Sequence, residues 1–181
     1  MKIELKNFKH AAFASKETLC FTASVYVDGK RLFEASNSGK GEANHLEPVN
    51  GSNWDDICRV QNWVARQPKI KLDNNLETSD DLDFYLSRLC HRKVGRKHLN
   101  SLLKKHVIIF DPKDTPGKLK QISCSQKPDI TDNHRKQLER IYPGCLIIND
   151  LDIERALDLY IASSSLNDSE VTDVYKQITS A

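Results

Sequence analysis

The clearest pattern along the chain is an alternation. Over residues 18–28, Leu19, Phe21, Ala23, Val25 and Val27 alternate with Cys20, Thr22, Ser24 and Tyr26. A period of two is that of a strand with one face buried. Asp28-Gly29 follows at once. That dipeptide supplies the positive φ angles of a type I′ turn, so residues 30–36 are expected to return as the partner strand. Ile3 and Leu5 predict a further strand over 2–7. The N-terminal third therefore reads as an antiparallel meander ending near Ala35.

Beyond the meander the period becomes helical. Residues 36–53, rich in Gly, Asn and Ser, read as a loop. A helix is predicted from Trp54 to Arg66, with Ser52 or Asn53 as its cap, Asp55 and Asp56 at its positive end, and Pro68 closing it. A polar connector, 67–79, follows. Over 80–93, Leu82, Tyr85, Leu86, Leu89 and Cys90 form one helical stripe, with Ser79 as cap. Gly95 is expected to interrupt, and a second helix over 97–105 turns Leu99, Leu102 and Leu103 inward. Strands at 106–110 and 118–124 flank a turn at 111–117. The last third predicts a helix from Thr131 or Asp132 to Tyr142 and a buried strand at 145–148. A helix capped by Asp150 follows, with Ile153, Ala156, Leu157 and Tyr160 on one face, then a terminal helix carrying Val171, Val174, Tyr175 and Ile178. The predicted fold is α+β: an N-terminal antiparallel meander, then helices interleaved with a short second set of strands. It forms a single domain over 1–181, or two lobes, 1–66 and 80–181, joined by the connector.

Composition narrows the class. The 181 residues are 39% hydrophobic and 29% charged, with 7 Gly and 6 Pro. This is enough for one well-buried core, and it excludes collagen-like, coiled-coil and wholly disordered chains. No apolar run approaches the roughly 18 residues of a membrane span, and nothing resembles a signal peptide. Cys20, Cys58, Cys90, Cys124 and Cys145 are odd in number and widely spaced, with no CxxC pair. Free thiols in a reducing cytosol are expected, without a zinc site. No cofactor is implied.

The net charge of +2 conceals a separation. Residues 1–87 carry −2, residues 88–128 carry +9, and residues 129–181 carry −5. The middle block holds Arg88, Arg92, Lys93, Arg96, Lys97, Lys104, Lys105, Lys113, Lys118, Lys120 and Lys127. Such a run attracts polyanions through Coulomb forces and counterion release. It suits an acidic protein partner too, and it is equally what a solvated face looks like, or one neutralised by Asp152, Glu154 and Asp158 meeting Lys104 or Lys118. The order helix, Gly95, helix, strand, Lys-bearing turn, strand over 80–124 resembles a winged helix-turn-helix. The resemblance implies that 97–105 enters a major groove and 111–118 is the wing. It departs from that pattern at Arg96 and Ser101, where apolar residues are usual. Arg88, Arg92, Lys97, Lys104 and Lys105 would contact phosphate, with Lys93, Arg96, Lys113, Lys118 and Lys120 on the same surface.

Motifs for catalysis are missing: there is no HExxH, GxSxG, GxxxxGK[ST] or GxGxxG. Gly39-Lys40-Gly41 reads as an ordinary loop or as a phosphate cradle. In Cys90-His91 the thiol lies on the apolar stripe, which favours a structural role. Cys145 opens an apolar strand and reads as core. Asp150, Asp152 and Glu154 suit either a helix N-terminus or a divalent cation. Trp54, Trp63, Tyr26 and Phe33 belong to the core or mark a partner site.

Ala12-Phe13-Ala14-Ser15-Lys16-Glu17-Thr18 and Val25-Tyr26-Val27-Asp28-Gly29-Lys30-Arg31 resemble small uncharacterised proteins of bacteria and their phages or plasmids. The resemblance covers about the first 40 residues. It implies a bacterial cytoplasmic setting and a binding role, with no catalytic residues. The leading expectation is a non-enzymatic binding protein whose segment 88–127 contacts nucleic acid or a nucleoprotein complex. One alternative is a phage- or mobile-element-encoded inhibitor of host defence, anti-CRISPR-like, acting by protein–protein binding through the hairpin 19–35 or the acidic C-terminal helices. The other is a metal-dependent enzyme using Asp150, Asp152 and Glu154.

Overall fold

The alternation at the N-terminus builds a sheet. In the computed structural model, which describes residues 1–67, 70–71, 77–78, 81–113, 118–124, 128–164 and 168–179, the first strands are β1 (Ile3–His10) and β2 (Phe21–Val27). β3 (Lys30–Asn37) and β4 (His45–Pro48) complete an antiparallel sheet in the order β1-β2-β3-β4. Asp28 and Gly29 have φ of 48° and 85°, the left-handed pair that a type I′ turn needs. The register sets Val25 opposite both Leu5 and Phe33, and all three are buried.

The meander is one strand longer than its sequence period suggests. β4 is four residues at a sheet edge, and Leu46 is its one apolar residue before Pro48. So short a segment carries no readable period. It forms because β3 offers it a free edge, pairing Ala35 with Leu46.

Helix α1 (Trp54–Val64) starts at a capping box between Asn53 and Asp56 and turns Ile57, Val60 and Val64 inward. The expected connector lies for most of its length outside the described residues. Its described pieces, β5 (Ile70–Lys71) and β6 (Glu77–Thr78), pair antiparallel.

Helix α2 (Leu82–Leu103) is continuous, where two helices separated at Gly95 were expected. One glycine in a helix costs only about 1 kcal/mol relative to alanine, and the packed leucines on both sides outweigh that. The turn on which the winged helix-turn-helix pattern depends is therefore absent. The wing expected at 111–118 includes 114–117, which lie outside the described residues.

The chain divides into two compact units, Met1–Val94 and Gly95–Ala181. The second holds β7 (His106–Phe110), β8 (Leu119–Ser123), α3 (Asp132–Ile141), β9 (Leu146–Ile147), α4 (Ile153–Ser164) and α5 (Asp168–Thr179). Its antiparallel sheet runs β8-β7-β9. Leu99, Ile108, Phe110, Ile148, Leu157 and Leu159 are buried in its core, and Tyr175 of α5 lies 4.8 Å from the Phe110 ring.

β9 pairs with β7 over only two residues. Asn149 then takes its place: the Ile108 amide donates to Asn149 Oδ1 at 2.8 Å, and Asn149 Nδ2 donates to the His106 carbonyl at 3.0 Å. One side chain thus satisfies the two β7 backbone groups that β9 leaves unpaired. Asp150 lies in the 3-10 turn Ile148–Asp150 and does not cap α4. The cap is Asp152, whose Oδ1 accepts from the amides of Glu154 and Arg155, each at 3.1 Å.

A Cβ added at Gly95 would lie 3.5 Å from Leu157 Cδ1 and 3.6 Å from Ile161 Cγ1, an ordinary contact. Gly95→Ala is therefore expected to raise stability by about 0.5–1 kcal/mol, measured as a higher urea midpoint by circular dichroism. Asn149→Ala leaves two backbone groups of β7 without partners and is expected to cost about 2 kcal/mol or more in the same measurement.

Candidate nucleic-acid interface

The basic residues expected to share one surface are divided between the two units. In Met1–Val94, the Arg88 guanidinium lies 5.8 Å from the Phe84 ring and 5.5 Å from the Tyr85 ring. Arg92 is half-buried and Lys93 is exposed. The Glu4 carboxyl is lowered by its hydrogen bond to Lys2, 2.8 Å away, and to a smaller degree by the field of Lys93.

In Gly95–Ala181, two of the cations are engaged locally. Arg96 forms an ion pair with Glu154. Lys120 lies 3.2 Å from Asp111 and 4.5 Å from the centre of the Tyr142 ring. Lys97, Lys104, Lys105, Lys113 and Lys118 are exposed, and among the described residues these five make no ion pair. Lys97 and Ser101 fall at i and i+4 on α2, away from buried Leu99 and half-buried Leu102 and Leu103. Lys104 and Lys105 directly follow α2, where positive charge complements the helix dipole. Lys113 and Lys118 lie beyond the far end of β7. Five strand residues span about 16 Å, so the lysines form two groups rather than one patch.

The acidic C-terminal third satisfies much of its charge internally. Asp150 accepts from Arg135 Nε at 3.1 Å and Nη2 at 3.0 Å, a bidentate pair that raises the Arg135 pKa. Asp152 caps α4 and approaches Arg155 at 3.3 Å. Asp152 and Glu154 thus turn to Arg155 and Arg96, not to Lys104 or Lys118. With separate partners, Asp150, Asp152 and Glu154 do not converge, and among the described residues no group of three His, Cys, Asp or Glu is placed to hold a metal.

The glycine loop already holds an anion of its own. Ser38 and Lys40 donate their amides to the Glu42 carboxylate at 2.7 and 3.1 Å. The Gly39 amide donates to Asn37 Oδ1 at 2.7 Å and the Gly41 amide to Thr18 Oγ1 at 3.3 Å. Four successive amides are thereby satisfied, and Glu42 occupies the seat a phosphate would take. Gly39 has φ of 86°, and a Cβ there would lie 2.3 Å from the Ala14 carbonyl oxygen, so the close approach requires glycine. The signal for Glu42 is its position directly after Gly39-Lys40-Gly41, whose two glycines have left-handed backbone, visible only once the loop is folded.

Both candidate thiols are shifted toward the protonated form. Cys90 is fully buried, and burial pushes its thiol up to about 12. Burial also raises Cys145, helped by Glu139 and Asp111. His91 is lowered by burial and by the charge of His10. Sequence reading missed a Ser–His contact: His10 Nε2 lies 3.2 Å from Ser15 Oγ. Ser15, however, donates its proton to the Ala11 carbonyl at 3.0 Å and accepts from the Cys20 amide at 2.9 Å. His10 must then be the donor, and no base is positioned to activate the hydroxyl.

Of the aromatic candidates, Phe33 is buried, Tyr26 and Trp63 are half-buried, and Trp54 is 61% exposed. A groove of about 710 Å³ lies between α3 and the β7–β8 pair, with Val107, Ile122, Leu138 and Ile141 on its walls. None of the five lysines lines it.

The Glu42 carboxyl is held down to about 2, chiefly by hydrogen bonding to Ser38. A lowered carboxyl pKa stabilises the fold above the ordinary value of 4.5, and that contribution is lost as pH falls toward about 2. An NMR titration is expected to show the Ser38 and Lys40 amide shifts moving together near about 2, and Glu42→Gln to abolish that transition.

No protein-family model, curated protein or solved structure matches the chain.

Proposed function

We propose that the protein is a non-enzymatic binding protein and that unit Gly95–Ala181 contacts nucleic acid through Lys97, Lys104 and Lys105, with Lys113 and Lys118 at the flank. The observation that carries this reading is that these five lysines are exposed and, among the described residues, make no ion pair. An ammonium that no carboxylate neutralises keeps its full field in solvent. Bringing it to a phosphate releases a condensed counterion, which is the main driving term in binding a polyanion. Arg96 and Lys120, expected among the contacts, serve instead as tethers to Glu154 and Asp111. Arg88 and Lys93, exposed on unit Met1–Val94, stay among the proposed contacts together with Arg92.

A binding role also suits the chemistry of the remaining groups. The Cys90 thiol, the Ser15 hydroxyl and the carboxylates Asp150, Asp152 and Glu154 each have a structural setting that accounts for them.

Fluorescence anisotropy with labelled DNA is expected to show affinity falling steeply as salt rises. The triple variant Lys97→Ala, Lys104→Ala, Lys105→Ala should weaken binding and reduce the slope of log K against log salt by about 2 to 3, at roughly 0.9 per lost phosphate contact. Absence of binding to single or double strands at low salt would refute the proposal.

A further inference from the structure

Unit Gly95–Ala181 contains four aromatic residues, Phe110, Tyr142, Tyr160 and Tyr175, and each of them has a neighbour in the fold. Phe110 is buried against Tyr175. Tyr142 lies beneath the Lys120 ammonium. The Tyr160 hydroxyl is hydrogen-bonded to His98 Nδ1 at 2.5 Å, with the two rings edge-on. No tryptophan occurs in this unit.

The planar guanidinium groups are largely engaged as well. Arg96, Arg135 and Arg155 are in ion pairs, which leaves Arg140 on α3 as the unit's fourth arginine. The exposed cations of this unit on α2 and directly after it, Lys97, Lys104 and Lys105, are lysines. A lysine is a compact point charge that suits a phosphate oxygen, whereas reading a base edge or stacking on a base favours the arginine fork.

We infer that this unit takes double-stranded nucleic acid, held through its phosphates without base stacking and without selection of sequence. The inference rests on the nucleic-acid reading proposed above and specifies its ligand. Proteins that hold single strands combine a basic groove with aromatic platforms on which unpaired bases stack. Here every aromatic ring of the unit already has another partner. A duplex needs no platform, because its bases are stacked on one another. It also concentrates charge, with one phosphate per about 1.7 Å of axis. Lys97 and Lys104 are seven residues apart, about 10 Å along a helix, a distance over which a duplex presents several phosphates. Asn100 and Ser101, exposed between them, can bond phosphate or sugar oxygens without reading sequence.

The full chain would be titrated at low salt with fluorescein-labelled duplex DNA of two unrelated sequences, duplex RNA of the same length, and single-stranded dT and dA oligomers. The expected result is that the two DNA duplexes bind within about threefold of each other. At least one duplex type, DNA or RNA, should bind about tenfold or more tighter than either single strand, as its charge density favours. Tyr142→Leu, with its circular dichroism spectrum unchanged, should keep duplex affinity. Single strands bound as tightly as duplexes, a more than tenfold difference between the DNA sequences, or a loss of affinity in folded Tyr142→Leu would overturn the inference while leaving the nucleic-acid reading intact. No binding to any probe would overturn that reading, and this inference with it.

Discussion

Both hydrophobic cores draw on one uninterrupted helix. α2 contributes Leu82, Leu86 and Cys90 to the core of the first unit and Leu99, with Leu102 and Leu103 beside it, to the core of the second. The constraint is the backbone hydrogen-bond ladder passing through Gly95. The local cost of glycine is small beside the burial of Leu82, Leu86 and Leu99, each contributing roughly 1.5–3 kcal/mol when fully removed from water. The helix therefore continues where local propensity suggests a stop.

Electrostatics in the second unit follows from the geometry of the ion pairs. Arginine presents a planar fork that meets a carboxylate with two parallel bonds, and Arg135 uses it to bind both oxygens of Asp150. Arg96 and Arg155 likewise turn to nearby carboxylates. The lysines at the end of α2 and around the β7–β8 connection have no such neighbour among the described residues. A chain segment that is strongly basic and one that is strongly acidic thus coexist in a unit without neutralising each other fully.

Much of the fold was legible in the sequence because it is governed by neighbours in the chain. The period of two over residues 21–27, the Asp28-Gly29 turn, the Asn53 cap and the apolar stripe of α4 all express interactions within a few residues. β4 escaped because an edge strand of four residues is defined by its partner rather than its own pattern. Asn149 escaped for a related reason. Its role as a substitute strand lies in two backbone groups about 40 residues earlier, and no local rule points from an asparagine to a distant ladder. The assignment of the α4 cap to Asp150 instead of Asp152 reflects two candidates of equal propensity two residues apart, decided by where β9 and the 3-10 turn end.

The candidate interface divides in the same way. The sequence by itself determined the α+β class, the strands and helices with strong periods, and the presence of a +9 block beside a −5 block, since these depend on residue type and order. Which charges remain available was decided only by the tertiary structure: Arg96 and Lys120 are paired, while Lys97, Lys104 and Lys105 face solvent with no carboxylate partner among the described residues. Tertiary structure also decided that Glu42 fills its own glycine loop and that Cys90 is buried. The physical reason is range. Periodicity is written in separations of two to four residues, whereas an ion pair, a buried thiol or a filled anion seat depends on distances in space between groups that chain order leaves far apart.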